Sequence, residues 1–120
     1  MKKISYQGEL GAYSHLACKE AMTDYESVPC RTFEAALNCV REEKADLAMI
    51  PVENSVAGRV ADIHYMLSGY DLKIFAEHFQ KVEHNLLVKH DAEFKDIKYV
   101  RSHAQAIGQC QKIINKNKFQ

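Results

Sequence analysis

The amino-acid sequence predicts an α/β fold built around a mostly parallel β-sheet. Residues 1–70 alternate between segments of strand character and segments of helical spacing, in the order β-α-β-α-β-α. Residues 45–52 form an almost continuous apolar run of strand length, which is typical of a central strand covered on both faces. Alternation at this spacing indicates right-handed βαβ crossovers, and such crossovers join parallel strands.

The first three elements follow from changes in periodicity. Residues 3–7 alternate in strand fashion, and the Gly8 and Gly11 that follow can supply a turn with positive φ. The apolar residues then recur at helical spacing, which predicts a helix over residues 12–22. Residues 26–30 are a short candidate strand.

Two further helices are predicted on either side of the central strand. Thr32 is a suitable N-cap for a helix to about Glu43. Its apolar positions have i, i+3, i+4, i+7 spacing: Phe33, Ala36, Leu37 and Val40. Pro51 marks the end of the central strand. A third helical stripe stops at Ser68-Gly69 and is formed by Val60, Ile63 and Leu67.

The second half of the chain has a different pattern. Residues 72–89 are rich in β-forming side chains and only loosely periodic, so they predict one bent strand or two. We place a crossing from one lobe to another near residues 75–79. Residues 97–100 predict another strand, and Ser102 is predicted to open a helix. The apolar side of that helix is Ala106, Ile107, Cys110, Ile113 and Ile114.

Composition narrows the class of protein. The 120 residues are 47% hydrophobic and 27% charged, which excludes a disordered or low-complexity chain. Sixteen basic and sixteen acidic side chains give no net charge, so no nucleic-acid partner is expected. No apolar run approaches the ~20 residues of a membrane helix, and no secretory signal follows Met1. The four cysteines lack CxxC spacing, which favours reduced thiols and a cytoplasmic location.

No cofactor or metal is expected from the motifs. The sequence has no P-loop, no GxGxxG and no HExxH. The pairs Glu77-His78 and Glu83-His84 repeat six residues apart, but in an extended strand that separation is ~20 Å. Ligands of one ion lie far closer together, so we interpret these histidines as solvated or hydrogen-bonded strand residues.

Polar residues directly after the central strand are the first candidate site. Glu53-Asn54-Ser55 follows the apolar run, and open α/β sheets place ligands at the carboxyl ends of their strands. Asn54 offers a donor and an acceptor, and Ser55 offers a rotatable hydroxyl. An Asx turn that caps the next helix explains the same residues equally well.

The junction before the last helix is the second candidate site. Ser102-His103-Ala104-Gln105 matches the S-x-x-Q form of a capping box, and a helix start can also bind a carboxylate. Gln109 lies about two turns beyond Ser102 and is predicted to share its face, although it could equally be a solvent-exposed residue. Residues 8–14 are a weaker candidate, in which Ser14 would cap a helix or meet an anion.

The sequence resembles the prephenate dehydratases and the related arogenate dehydratases through essentially the whole chain. The matching motifs are Tyr6-Gln-Gly-Glu-Leu-Gly-Ala-Tyr-Ser14, Thr32-Phe-Glu-Ala-Ala36, Ala45-Asp-Leu-Ala-Met-Ile-Pro-Val-Glu-Asn-Ser55 with Gly58, residues 74–77, Glu83-His-Asn-Leu-Leu87, Val100-Arg-Ser-His-Ala-Gln-Ala106 and Gln109-Cys110. Each motif is modest alone, but their order and spacing are specific.

The resemblance implies a fold like the type II periplasmic-binding proteins, with the site in a cleft between two lobes. Residues 1–75 would form lobe 1, and residues 76–120 would begin an incomplete lobe 2. It also implies a reaction in phenylalanine biosynthesis, in which prephenate loses water and carbon dioxide to give phenylpyruvate. By matched position it implies substrate-binding residues, namely Asn54, Ser102 and Gln109, with Ser14, Ser55 and His103 beside them.

One family motif is not found in these 120 residues. Members of the family carry a Thr-Arg-Phe triplet whose threonine is thought to act as the acid, and no such triplet occurs here. No catalytic residue is therefore assigned, and we expect the chain alone to be weak or inactive. An incomplete lobe would expose apolar surface, so we expect a homodimer, formed by exchange of residues 97–119.

Two other classes of function remain open. The same architecture serves binding without chemistry, so the chain could be a non-catalytic module for small carboxylates. It could also be a structural fragment that binds nothing. The choice between prephenate and arogenate cannot be made from these residues.

Overall fold

The computed structural model describes residues 1–54 and 58–120. They form two compact units, one of residues 1–54 and 58–82 and one of residues 83–120. The strands are β1 Lys3–Gln7, β2 Glu26–Cys30, β3 Leu47–Met49, β4 Glu53–Asn54 and β5 Gly58–Arg59. The helices are α1 Tyr13–Ala21, α2 Phe33–Arg41, α3 Ala61–Leu67, α4 Ala104–Gln109 and α5 Gln111–Lys116, with a 3₁₀ turn at Phe94–Asp96. The assignment of the chain to two lobes stays a prediction.

The first unit is built on a three-stranded parallel sheet in the order β2-β1-β3. Ser5 in β1 lies opposite Val28 of β2 and Ala48 of β3. This confirms the predicted mixed α/β fold and its parallel sheet. The likeness to periplasmic-binding proteins is not tested by this arrangement and stays a prediction.

The strand predicted as central from the apolar run at residues 45–52 is β3, which lies at an edge of this sheet in the described residues and is half-buried, so that prediction is wrong. An apolar run indicates a buried strand but does not fix its place in the sheet.

The central strand is β1, which is covered on both faces. Ile4 and Tyr6 pack in one buried cluster with Cys18 of α1. Ser5 is also buried, and its hydroxyl donates to the carbonyl oxygen of Ala36 in α2, 2.7 Å away. Because neighbouring side chains of a strand point to opposite faces, α1 and α2 lie on opposite sides of the sheet.

Residues 72–89 are neither strand nor helix, so the strand predicted there is wrong. Ile74 and Phe79 are 75% and 86% exposed, and Leu87 is 88% exposed. β-forming side chains favour a strand only where a neighbouring strand and a packed face are available. In the described residues this segment has no neighbouring strand and no packed face, so its composition alone did not predict its structure.

Residues 97–100 also do not form a regular strand, but their backbone makes two hydrogen bonds with Gln120. In the second unit the N–H of Val100 donates to the carbonyl oxygen of Gln120 at 2.7 Å, and the N–H of Gln120 donates to that of Lys98 at 2.9 Å. These two bonds form one parallel bridge centred on Tyr99. The predicted strand is therefore reduced to a single bridge.

Candidate functional site

A glycine turn closes the carboxyl end of the sheet in the first unit. Gly8 and Gly11 have φ values of +129° and +90°, which confirms the predicted positive-φ turn. The N–H of Gly8 donates to the carbonyl oxygen of Cys30 at 2.9 Å. The turn is thus held against the end of β2, at the edge where open α/β sheets bind ligands.

His15 is fixed at the start of α1, directly after this turn. Its Nδ1 accepts a hydrogen bond from the N–H of Gly11 at 2.9 Å. Its ring stacks on the ring of Tyr6, with centroids 5.3 Å apart. Because Nδ1 is the acceptor, the neutral ring carries its proton on Nε2, which is a hydrogen-bond donor.

Sequence reasoning did not single out His15, although a signal was present. His15 is the third residue after the N-cap Ala12, which is the position whose side chain reaches back to the preceding backbone in a capping box. A histidine at this position can accept a backbone hydrogen bond as a Glu or Gln would. His15 does so from the N–H of Gly11.

The Tyr6 side chain is buried next to His15. Its hydroxyl has no hydrogen-bond partner among residues 1–54 and 58–120. Burial raises the pKa of the Tyr6 phenol above its ordinary value, and nearby Cys18 and Glu9 add to the effect. At neutral pH the group is therefore an uncharged hydroxyl that can both donate and accept.

Ser14 does not cap α1. The helix begins at Tyr13 with Ala12 as its N-cap, so Ser14 is already a helical residue in the first turn, where it is half-buried. The helix starts too early for Ser14 to hold a capping conformation. A role for Ser14 toward an anion stays a prediction.

Asn54 lies in a short antiparallel strand pair. It is half-buried in β4, where it pairs with Gly58 of β5. The next helix, α3, has Val60 as its N-cap, and the Val60 side chain makes no cap hydrogen bond. The Asx-turn interpretation of Asn54 stays a prediction. Ser55 lies outside the described residues.

The second unit contains the other predicted residues. His103, not Ser102, is the N-cap of α4, and its Nδ1 accepts from the N–H of Gln105 at 3.4 Å. The predicted Ser102 cap is therefore wrong. Ser102 and His103 are both residue types that can cap a helix, and α4 begins at Ala104, one residue later than a Ser102 cap would require. Ser102 remains directly before that helix start, where it is exposed.

Gln109 ends α4 and bonds to a histidine from elsewhere in the second unit. The ring Nε2 of His84 contacts the side-chain oxygen of Gln109. That oxygen can only accept, so His84 donates, and the amide N–H groups of Gln109 are the donors that it can offer to a ligand. Gln105 and Gln109 share a helix face, but Ser102 lies before the helix and does not belong to that face.

In the part of the chain that the structure describes, no group of three or more His, Cys, Asp or Glu side chains could hold a metal ion. Of the helices described, none is long and apolar enough to cross a membrane.

Comparison with known proteins identifies the family. The family model described as prephenate dehydratase matches residues 4–120. The chain is 43% identical to a bifunctional N-acyl-homoserine lactone acylase/prephenate dehydratase of Komagataeibacter europaeus, over 92% of this chain and 40% of that protein. It is 33% identical to the bifunctional chorismate mutase/prephenate dehydratase of Escherichia coli K12, over 95% of this chain and 31% of that protein.

A plant protein and a solved structure are also similar to this chain. An arogenate dehydratase/prephenate dehydratase of Arabidopsis thaliana is 36% identical over 95% of this chain and 30% of its own. A solved structure described as GqqA, a novel type of quorum quenching acylases, has a TM-score of 0.80 and 40% identity, covering 99% of this chain and 44% of that one.

The α/β fold with its parallel sheet and the match over nearly all of the sequence define a chain of the dehydratase class. The chain belongs to the prephenate dehydratase family. It spans less than half the length of the relatives described above.

Proposed function

We propose that this chain binds prephenate and belongs to a protein that converts it to phenylpyruvate, water and carbon dioxide. The observation that carries the proposal is the family match over residues 4–120, which includes every position that the family resemblance assigns to substrate binding. Arogenate, for which the Arabidopsis thaliana relative is also named, is the alternative substrate of the same reaction type.

The reaction sets clear demands on the protein. The bond from the ring to its carboxylate breaks, its electron pair enters the ring, and the ring hydroxyl leaves as water after taking up a proton. The protein must hold two carboxylates and supply a proton to the leaving oxygen. A general acid of this kind contributes typically 10²- to 10⁴-fold in rate.

Several groups described above suit the binding part of this task. Asn54 and Gln109 carry amide donors, Ser102 carries a hydroxyl, and His15 carries an Nε2 proton. Neutral donors of this type bind carboxylate oxygens without needing a charge. The sequence holds no Thr-Arg-Phe triplet, so we expect binding by these 120 residues with little or no turnover.

A proton NMR time course tests this. Prephenate is incubated with the purified 120-residue chain at neutral pH, and both the line widths of prephenate and the aromatic signals of phenylpyruvate are followed. We expect broadened prephenate lines and phenylpyruvate at the rate of a sample without protein. Unbroadened lines at all protein concentrations would contradict the proposal.

Matched variants locate the binding groups. Gln109→Ala and Asn54→Ala should each restore narrow prephenate lines. The controls Gln111→Ala and Asn115→Ala change the same residue types at exposed positions of α5 and should leave the broadening unchanged. Equal broadening with Gln109→Ala and Gln111→Ala would show that Gln109 does not bind prephenate.

A second candidate function is hydrolysis of N-acyl-homoserine lactones. It is supported by the names of one relative and of the solved structure, both of which are described as acylases. Incubation with an N-acyl-homoserine lactone, followed by mass spectrometry of the released fatty acid, distinguishes it from the dehydratase proposal. Binding of prephenate without release of fatty acid favours the first proposal.

Self-association and the cytoplasmic location stay predictions. Support for a homodimer comes from exposed apolar side chains in and around residues 72–89: Ile74, Phe75, Phe79, Leu86, Leu87 and Val88. Exposed apolar residues that follow one another in the sequence, such as Leu86, Leu87 and Val88, are typical of an interface. Sedimentation velocity over a hundredfold range of concentration should show a dimer, and a monomer at every concentration would contradict it.

A further inference from the structure

Two cysteine sulfurs lie next to each other at the carboxyl end of β2. The Sγ atoms of Cys30 and Cys39 are 3.8 Å apart, with Cys30 the last residue of β2 and Cys39 in α2. Both side chains are half-buried, whereas Cys18 is completely buried. A small oxidant in solution can therefore reach this pair more readily than it can reach Cys18.

We propose that Cys30 and Cys39 form a reversible disulfide, so that this end of the sheet is a site of thiol oxidation. A disulfide bond is about 2.05 Å long, so the two sulfurs must approach by about 1.7 Å. Rotation about the Cα–Cβ bonds of the two side chains can supply a movement of that size. The proposal is independent of the reaction proposed above.

The oxidant is a low-molecular-weight disulfide such as glutathione disulfide. One cysteine thiolate attacks a sulfur of glutathione disulfide and releases one glutathione, which leaves a mixed disulfide on the protein. The second cysteine, as thiolate, attacks the protein sulfur of that mixed disulfide and releases the second glutathione. Two protein thiols lose two protons and two electrons, and one glutathione disulfide is reduced to two glutathione molecules.

Burial raises the pKa of the Cys30 thiol to about 11, and its hydrogen bond with Cys39 adds to this. The thiolate is the attacking species, so the pair should oxidise slowly at neutral pH and faster as the pH rises. Such a thiol suits slow oxidation under sustained oxidising conditions rather than rapid peroxide sensing.

The proposed disulfide would constrain the end of the sheet next to the glycine turn. The carbonyl oxygen of Cys30 accepts the Gly8 N–H, and the N-cap Thr32 lies between the two cysteines along the chain. A disulfide between residues 30 and 39 therefore joins the end of β2 to the last turn of α2 and closes a loop that contains this cap. The disulfide also lowers the conformational entropy of the unfolded chain, so the oxidised protein should have a higher melting temperature.

Peptide mapping gives a direct test. The chain is incubated with glutathione disulfide, remaining thiols are alkylated, and the protein is digested with trypsin. Cleavage after Arg31 places Cys30 in residues 20–31 and Cys39 in residues 32–41, while Cys18 falls in a third peptide. We expect a linked pair of peptides 20–31 and 32–41, with the alkyl group on Cys18, and loss of the link after treatment with dithiothreitol.

Variants and their control complete the test. Cys18→Ala/Cys110→Ala keeps only the proposed pair and should lose two hydrogen atoms of mass per chain on oxidation, with a higher melting temperature. Adding Cys39→Ser should leave Cys30 as a thiol or a glutathione adduct, without the rise in melting temperature. Unlinked peptides from wild-type protein after prolonged incubation at pH 9, or a link that involves Cys18 or Cys110 instead, would overturn the proposal.

Discussion

The imidazole ring of His15 lies on the phenol ring of Tyr6, with the two ring planes 15° from parallel and the centroids 5.3 Å apart. His15 belongs to the first turn of α1 and Tyr6 to the central strand β1. The contact therefore packs the start of α1 against the end of β1. The imidazole also accepts a hydrogen bond from the N–H of Gly11. Stacked aromatic pairs contribute about 0.5–1.5 kcal/mol beyond their buried area.

Tyr6→Phe should stabilise the protein. The substitution keeps the ring that stacks on His15 and removes a buried hydroxyl that has no partner in the described part of the chain. An unpaired buried polar group costs about 1–3 kcal/mol, so we expect the free energy of unfolding in urea to rise by about 1 kcal/mol. Tyr65→Phe, at a side chain that is 84% exposed, is the control and should change it by less than about 0.5 kcal/mol. A clear loss of stability with Tyr6→Phe would show that the hydroxyl is paired.

Stability should fall at alkaline pH because of Cys18. Burial raises the pKa of the Cys18 thiol from 9.0 to about 11. Below pH 9 the thiol is protonated in both states, whereas above pH 9 the unfolded chain releases its proton and the folded chain does not. The contribution of this thiol to stability is therefore present below pH 9 and lost as the pH rises toward 11.

Urea unfolding at pH 8 and pH 10.5, with a reducing agent present, measures this effect. Between these pH values, the free energy of unfolding of the wild-type protein should fall by about 2 kcal/mol more than that of Cys18→Ala. Parallel curves for the two proteins would mean that the Cys18 thiol titrates normally in the folded state.

The glycine turn should tolerate no side chain at its first residue. Gly8 has a φ of +129°, and a Cβ built there would lie 3.3 Å from the Cβ of Ala12. Gly8→Ala should therefore lower the free energy of unfolding by more than about 1 kcal/mol. Gly108→Ala is the matched control, because Gly108 is inside α4 with open space around it. It should raise stability by about 0.5–1 kcal/mol, and a similar loss in both variants would contradict the argument.

Thr32 should contribute to stability through its hydroxyl. Its Oγ1 accepts a hydrogen bond from the N–H of Ala35 at 3.0 Å, as the N-cap of α2. Thr32→Ala should lower the free energy of unfolding by about 1 kcal/mol, while Thr32→Ser keeps the acceptor and should cost less. Thr23→Ala, at an exposed threonine outside the helices, should have little effect. Equal losses from the alanine and serine variants at position 32 would exclude the cap as the cause.

Features of the fold that depend on neighbouring residues were predictable from the sequence. The cap at Thr32, the positive-φ turn at Gly8 and the helical stripe around Leu37 each depend on residues within about two helical turns. The parallel sheet followed from the alternation of strands and helices, because crossovers of this length allow few other arrangements.

Features that depend on a pairing partner, or on which of two adjacent residues caps a helix, were not predictable. Residues 72–89 have the composition of a strand, but a strand needs a partner that the local sequence does not specify. Asn54 is in a two-residue strand because the chain returns to it at Gly58, which the apolar pattern did not indicate. Ser102 and His103 are both able to cap α4, and the choice depends on where the first turn begins.

Calorimetric titration of the 120-residue chain with prephenate, and separately with an N-acyl-homoserine lactone, tests the central claim most directly. A saturable heat with prephenate that weakens at least tenfold in Asn54→Ala, and no saturable heat with the lactone, is the result that we predict. A saturable heat with the lactone and none with prephenate, from protein whose circular dichroism shows it to be folded, would contradict the account.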